Sequence, residues 1–242
     1  MRKDPPPPIA YLFPNFFTAA SIFTGFYAIS LGYHHEFITA AWFIFLALIF
    51  DGLDGRVARM TNTASHFGVE FDSLADIVAF GVAPAFLLYL YIGEGYGRIG
   101  IVVSALFIIF GAVRLARFNV TTSHIEPNVF IGLPIPTAAI MISLAILVSE
   151  QYPSMSQYKV LMLPFAVILA LLMVSNIRYP SFKKINFNTF HFMRFLVLVI
   201  VSALGIFIYP IEGMALLGVG YLFYGVLRAG YYLLRRLMGY RG

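Results

Sequence analysis

The chain has 242 residues, of which 60% are hydrophobic, 17% aromatic and only 11% charged, and its mean hydropathy is +0.86. Soluble domains carry about 25% charged residues. So few cannot coat this much apolar surface in water, which excludes a soluble globule and makes the chain an integral membrane protein. The absence of Cys excludes disulfides, zinc–thiolate centres and iron–sulfur clusters. The net charge of +5 is spread between long apolar runs, which argues against nucleic-acid binding.

In chain order, Pro5–Pro8 form a stiff stub that should not be helical. A spanning helix needs about 20 mainly apolar residues, and eight candidates follow at 13–32, 37–57, 71–92, 99–118, 131–148, 161–176, 192–209 and 213–234. The breaks carry turn residues: Tyr33-His34-His35-Glu36, Gly93-Glu94-Gly95-Tyr96-Gly97, Tyr152-Pro153, Tyr179-Pro180 and Tyr209-Pro210. The first span exceeds a signal-peptide core and seven more follow, so it is read as retained. No repeat or long linker divides the chain. The expectation is one all-α membrane domain over residues 1–242, a polytopic bundle of about eight transmembrane helices.

Charge sets the orientation. With the N-terminus inside, 14 Lys and Arg fall on the cytoplasmic side, among them Arg56, Arg59, Arg114, Arg117 and Arg178, against Arg98 and Lys159 on the other. This positive-inside bias predicts an even number of spans, both termini cytoplasmic, in the cell membrane.

Four of the five Asp fall within 26 residues: Asp51, Asp54, Asp72 and Asp76. On a helix, Asp51 and Asp54 are about 60° apart and Asp72 and Asp76 about 40° apart. Two antiparallel helices joined by Met60–Phe67 therefore point four carboxylates into one space. Unpaired anions so close repel one another and resist desolvation. One or two divalent cations resolve this, and all-oxygen donors favour a hard ion such as Mg²⁺, Mn²⁺ or Ca²⁺. Gly55 opens the backbone beside Asp54, Ala58 keeps the same face uncrowded, and Arg59 brings a fork suited to phosphate oxygens. Gly68 lies one turn before Asp72. Carboxylates, metal and Arg together suit phosphoryl chemistry.

The pattern Asp51-x2-Asp54-Gly55-x2-Ala58-Arg59-x8-Gly68-x3-Asp72-x3-Asp76 resembles the complete signature of the CDP-alcohol phosphotransferase family. That resemblance implies transfer of a phosphoalcohol group from a CDP-linked donor to a second alcohol, with release of CMP. It implies that Asp51, Asp54, Asp72 and Asp76 hold two divalent ions, Mg²⁺ or Mn²⁺, and that Asp76 also acts as general base. It further implies that Gly55, Ala58, Arg59, Ser65 and Gly68 line the CDP site. Pro14-Asn15-Phe16-Phe17-Thr18 resembles the family's segment that closes over the nucleotide, which adds Asn15 and Thr18. An ordinary helix start rich in Pro and Asn accounts for that segment equally well.

The flanks resemble the family's membrane-embedded phosphatidylserine synthases. They run from Phe71-Asp72-Ser73-Leu74-Ala75-Asp76 to Phe80-Gly81-Val82-Ala83-Pro84-Ala85, then Arg114-Leu115-Ala116-Arg117-Phe118-Asn119 and Gly132-Leu133-Pro134-Ile135-Pro136. The implied donor is CDP-diacylglycerol, the acceptor L-serine, the surroundings membrane phospholipid, and the oligomer a homodimer. The alternative phosphatidylserine synthase type, built on His-x-Lys motifs, is excluded because no His-x-Lys occurs. Arg114 and Arg117 are candidates for the serine carboxylate and Asn119 for its amine. Membrane anchoring accounts for the two Arg as well, and Arg117→Ala separates the two by its effect on the serine requirement. Three further readings stay open: the same chemistry on glycerol phosphate or inositol, a divalent-cation channel or transporter lined by the Asp, and a lipid-binding scaffold. His34 and His35 are expected at the far interface and His66 in solvent, and His124 and Glu126 carry no assignment. Gly205, Gly218 and Gly225 permit close helix packing, while Ser143 and Ser149 are expected to bond within their own helix.

Overall fold

The computed structural model describes residues 8–121, 129–180 and 189–237. It is a bundle of apolar helices: α1 (Leu12–Tyr33), α2 (Phe37–Met60), α3 (His66–Asp76), α4 (Ala83–Tyr91), α5 (Arg98–Thr121), α6 (Ile135–Gln151), α7 (Met162–Val174), α8 (Thr189–Ile208) and α9 (Pro210–Leu237). Two short antiparallel strands, β1 (Val129–Ile131) and β2 (Arg178–Pro180), pair Phe130 with Tyr179. Pro8 begins a single 3₁₀ turn, Pro8–Tyr11, so the stub is not wholly non-helical. The locked φ of proline suits the first turn of a helix. The rest of the stub lies outside the described residues, as do His124 and Glu126.

Among the described residues, six helical stretches of 22 to 26 residues are long and apolar enough to cross a membrane. At 1.5 Å per residue they extend about 33–39 Å. Two shorter apolar helices, Ile135–Gln151 and Leu196–Ile208, complete the eight expected positions. The third span begins at His66 rather than Phe71, so Asp72 and Asp76 lie inside a helix, a turn or more from its start. Ser65 makes this extension possible: its Oγ accepts the Gly68 N–H at 3.0 Å and caps α3.

The same span changes pitch after Asp76. Residues Ile77–Val82 form a π-helical segment, in which Ala83 N–H donates to Val78 O, five residues back. Pro84 explains the placement, because it has no N–H to give to the carbonyl of Phe80 and the wider turn absorbs the defect.

Packing relies on small side chains, as expected where lipid offers no hydrophobic drive for helices to associate. Ala28, Ala40, Ala47, Ala79, Ala83, Ala138 and Ala166 are fully buried. Gly25 of α1 crosses the π-helical segment so closely that a Cβ there would sit 2.7 Å from Ala79 Cα. The outer faces are apolar instead, for example Val197, Leu198, Val201, Leu204 and Phe207 on α8, as a lipid-facing surface requires.

Contacts between connections mark the two ends. At one end Phe37 meets the Tyr91 ring edge-on, Tyr91 donates to Glu150 at 2.6 Å and Lys159 pairs with Glu150 at 3.3 Å. Tyr152 and Gln151 both donate to Glu212 there. The acidic cluster lies at the other end, where α2 turns into α3 and α5 terminates.

Candidate functional site

The helical spacing brings the four Asp close, but not as one equivalent set. One carboxylate oxygen from each of Asp51, Asp72 and Asp76 lies within 4.8 Å of the others. Asp54 is not part of this group of three and is held from α1, where Thr18 Oγ1 donates to its Oδ2 at 2.7 Å. Asp72 interacts with Asp51 and with Asp54 and so joins the triad to the neighbouring cleft.

That cleft, about 220 Å³, is lined by Pro14, Asn15, Thr18, Asp54, Gly55, Ala58, Arg59, Thr63, Ala64, Ser65, Gly68, Val69 and Asp72. The structure thus brings together every residue singled out for the donor, Asn15, Thr18, Gly55, Ala58, Arg59, Ser65 and Gly68. Local reasons are visible. Helix α2 presents Asp54, Gly55, Ala58 and Arg59 over little more than one turn, and a Cβ on Gly55 would lie 3.4 Å from the Arg59 guanidinium. The bare backbone of Gly55 leaves that cation room over the cleft. Asn62, at φ 54°, makes the left-handed bend that lets α3 return beside α2; Asn tolerates it better than most residues. Ser65 spends its lone pair on the cap of α3 but keeps a hydroxyl proton to offer the cleft. Sequence reasoning missed Thr63, buried and hydrogen-bonded to Thr61 at 2.7 Å. It sits in the eight-residue gap of the signature, where no residue type is specified.

Donor chemistry tests the fit for metal. Asp72 Oδ1 and Asp76 Oδ1 are buried and receive no hydrogen bond from the described residues. Buried carboxylate oxygens without a donor are costly, and these two residues with Asp51, whose oxygens lie within 4.8 Å of one another, suit a hard cation. The residues present therefore fit a divalent ion held by Asp51, Asp72 and Asp76.

The three residues singled out for serine separate. Arg114 is buried beside Asp76, with which it interacts electrostatically, and its guanidinium lies 5.3 Å from the Phe118 ring centroid. Asn119 Nδ2 donates to Ser73 Oγ at 3.0 Å, tying the end of α5 to the helix that carries Asp72 and Asp76. Arg117 turns the other way. Its terminal nitrogens donate to the carbonyls of Ile131, Met173, Val174 and Ser175 at 3.0–3.2 Å, and to Asn176 Oδ1 at 3.4 Å. This clasps the C-terminal end of α7 to α5, because the guanidinium fork satisfies the orphan carbonyls that every helix end exposes. Such engagement departs from the expectation of a carboxylate-binding Arg117.

Other expectations resolve individually. His34 and His35 lie at the end opposite the Asp cluster and His66 is exposed. Ser143 donates to Ala139 O within its helix, whereas Ser149 Oγ is buried without a partner among the described residues, contrary to expectation. Gly218 and Gly225 do pack closely, against Met141 and Tyr179.

Fold and site define a class, a polytopic helical membrane protein with a carboxylate cluster that could hold a hard cation beside a cleft lined by Arg59. Residues 11–174 match the CDP-alcohol phosphatidyltransferase family, and the chain belongs to that family. It is 50% identical over 219 residues to a CDP-diacylglycerol--serine O-phosphatidyltransferase of Helicobacter pylori, covering 90% of this chain and 91% of the relative. A protein of the same name from Bacillus subtilis is 37% identical over 71% of this chain and 91% of its own. An archaetidylserine synthase of Methanothermobacter thermautotrophicus is 34% identical over 73% and 72%. Of the classes the residues alone left open, the chain is an enzyme rather than a channel or scaffold.

Proposed function

We propose that this enzyme transfers the phosphatidyl group from CDP-diacylglycerol to L-serine, producing phosphatidylserine and CMP. The observation that carries the reading is the cleft joining Asn15, Thr18, Arg59 and Gly68 to the Asp triad through Asp72, in a chain half identical to a serine O-phosphatidyltransferase. The three relatives' names share serine, while one differs in its lipid; this favours serine over glycerol phosphate or inositol as acceptor.

In this mechanism Arg59 grips the donor diphosphate in the cleft through its planar fork, while Asn15, Thr18 and Ser65 offer polar groups from the walls. Asp51, Asp54, Asp72 and Asp76 would hold two divalent cations, which when bound neutralise phosphate charge and favour nucleophilic attack at phosphorus. Asp76 takes the proton of the serine hydroxyl. The serine oxygen then forms a bond to the phosphorus that carries diacylglycerol, and the bond from that phosphorus to the bridging oxygen breaks. CMP leaves with the bridging oxygen. Arg114, beside Asp76, receives the acceptor carboxylate, and Asn119 steadies α3 through Ser73.

The positive-inside bias of the sequence supports assigning this end of the bundle to the cytoplasmic face of the cell membrane, where the donor's chains remain in the bilayer and serine arrives from water. The working unit is a homodimer of this single membrane domain. The test is CMP release from CDP-diacylglycerol by purified protein with Mn²⁺ or Mg²⁺, with and without L-serine. Serine-dependent release with matching phosphatidylserine is expected. Metal-dependent release that ignores serine but follows another alcohol refutes the acceptor, and release unaffected by chelation refutes the metal centre.

A further inference from the structure

The span that carries Asp72 and Asp76 makes two close approaches to α1, and their spacings along the two helices differ. A Cβ on Gly25 would sit 2.7 Å from Ala79 Cα, and one on Gly32 would collide with the Leu87 side chain. Gly25 and Gly32 are seven residues apart, so they lie within about 20° on one face of α1. Ala79 and Leu87 are eight apart. On an unbroken α-helix these two would diverge by about 80°, yet both are fully buried and both meet α1. The π-helical segment Ile77–Val82 reconciles the two counts. A wide turn absorbs about one residue more than an α turn, which removes about 100° of rotation and brings Ala79 back to the face of Leu87.

The consequence reaches the carboxylates. Asp72 and Asp76 lie just before the wide turn, so the rotation that aims Ala79 is carried to both. Were the span an unbroken α-helix with Leu87 still seated on Gly32, both carboxylates would swing by about 100°. At the 5–6 Å radius of a helix with its side chains, that is a displacement of about 8 Å. The oxygens of Asp51, Asp72 and Asp76 lie within 4.8 Å of one another, so such a swing would dismantle the cluster. Phe80, seven residues before Leu87, would meanwhile arrive at Gly25, where the close backbone leaves no room for a ring. Two neighbours hold the turn in place. Ile135, fully buried at the start of α6, takes the space that side chains on Gly81 and Gly111 would fill. Pro84 has no N–H and its ring presses on the carbonyl four residues back, so an α turn closes through it only at a cost.

We propose that the π-helical turn sets the angle at which Asp72 and Asp76 meet Asp51, with Gly25, Ala79 and Pro84 as positioning residues for the cation-binding carboxylates. This rests on the reading of the Asp cluster as a divalent-cation site, and it goes beyond that reading by naming what aims the cluster from outside the Asp signature. Gly25 and Ala79 act by contact: the smallest side chains on each helix let α1 and the turn approach until only one angle of the site-bearing half fits.

The test measures Mn²⁺ binding directly, through loss of the free-ion EPR signal, with the full chain in lipid nanodiscs and no substrate. Ala79→Val puts bulk against Gly25 and is expected to raise the Mn²⁺ dissociation constant about tenfold or more, while Ala79→Gly stays within about threefold. One Ala inserted after Val82 adds a further 100° or so of rotation and should weaken binding as much. Deleting Val82 together with Pro84→Ala removes the extra residue and the proline at once. The span then runs on as an α-helix with Ala79 seven residues before Leu87, so this shortened protein is expected to fold and to bind Mn²⁺ within about threefold of the native chain. A role confined to packing lowers melting temperatures and leaves the dissociation constants of the folded variants native. Native affinity in folded Ala79→Val overturns the proposal, and so does a shortened protein that fails to fold or loses Mn²⁺. If Ala79→Val does not fold, the shortened protein decides. A native chain that takes up no Mn²⁺ refutes the cation site itself, whereas native binding with unmoved variants refutes the role of the turn alone.

Discussion

Replacing Thr18 by Val removes one hydroxyl and leaves the shape of α1 almost unaltered. In the structure that hydroxyl is buried and donates to Asp54 Oδ2 at 2.7 Å, across 36 residues of sequence. Its second neighbour, Pro14 O, is 3.2 Å away; a single proton serves the shorter bond to the charged acceptor. A hydrogen bond to a charged group contributes about 1.5–3 kcal/mol, or about 10- to 150-fold in an equilibrium constant. Losing a group that orients a metal-binding carboxylate costs about 10- to 100-fold in metal affinity or activity. Thr18→Val is therefore expected to raise the Mn²⁺ concentration for half-maximal CMP release by about 10- to 100-fold. Thr18→Ser, which retains the hydroxyl, should remain within about threefold of the native enzyme. The assay is a Mn²⁺ titration of CMP release at saturating serine, with melting curves to confirm that both variants are folded. A Thr18→Val enzyme with native Mn²⁺ dependence would show that the bond only packs α1 on α2, and that Asp54 needs no orientation.

Three further outcomes are expected. Asp72→Asn, at the residue shared by triad and cleft, should lower serine-dependent CMP release at least about 10³-fold and abolish the rise in melting temperature on adding Mn²⁺; retained turnover would break the metal scheme. Arg117→Ala should destabilise the fold by about 2–3 kcal/mol through the carbonyls it leaves unpaired, read as a lower melting temperature. The serine KM should stay unchanged, and a raised KM in an equally stable protein would return Arg117 to the acceptor site. Gly25→Ala forces a Cβ to 2.7 Å from Ala79 Cα. Such overpacking costs about 1–3 kcal/mol and should lower the melting temperature, whereas an unchanged value would mean that α1 slides freely over the π-helical segment.

What the residues decide alone is whatever depends on composition and on spacing within one helix. Low charge and long apolar runs require a membrane, because water cannot be offered that surface. The intervals Asp51–Asp54 and Asp72–Asp76 put carboxylates on shared faces because 3.6 residues complete a turn. Arg59 and Gly68 were legible as cleft residues because the signature carries them at fixed gaps, whereas Asn15 came only from the resemblance of the segment Pro14–Thr18. Contacts between distant segments have no such signal. Nothing in the local pattern distinguishes Arg114 from Arg117, three residues apart; the packing of α7 directs Arg117 to the carbonyls of residues 173–175 and leaves Arg114 buried beside Asp76. Likewise the interval from Asp51 to Asp54 does not reveal that Asp51 joins the triad while Asp54 is held by Thr18 of α1. The stack of Tyr179 on Tyr221 joins residues 42 positions apart. Helical period governs where a side chain leaves its own backbone, and only the docking of one helix on another decides what it meets.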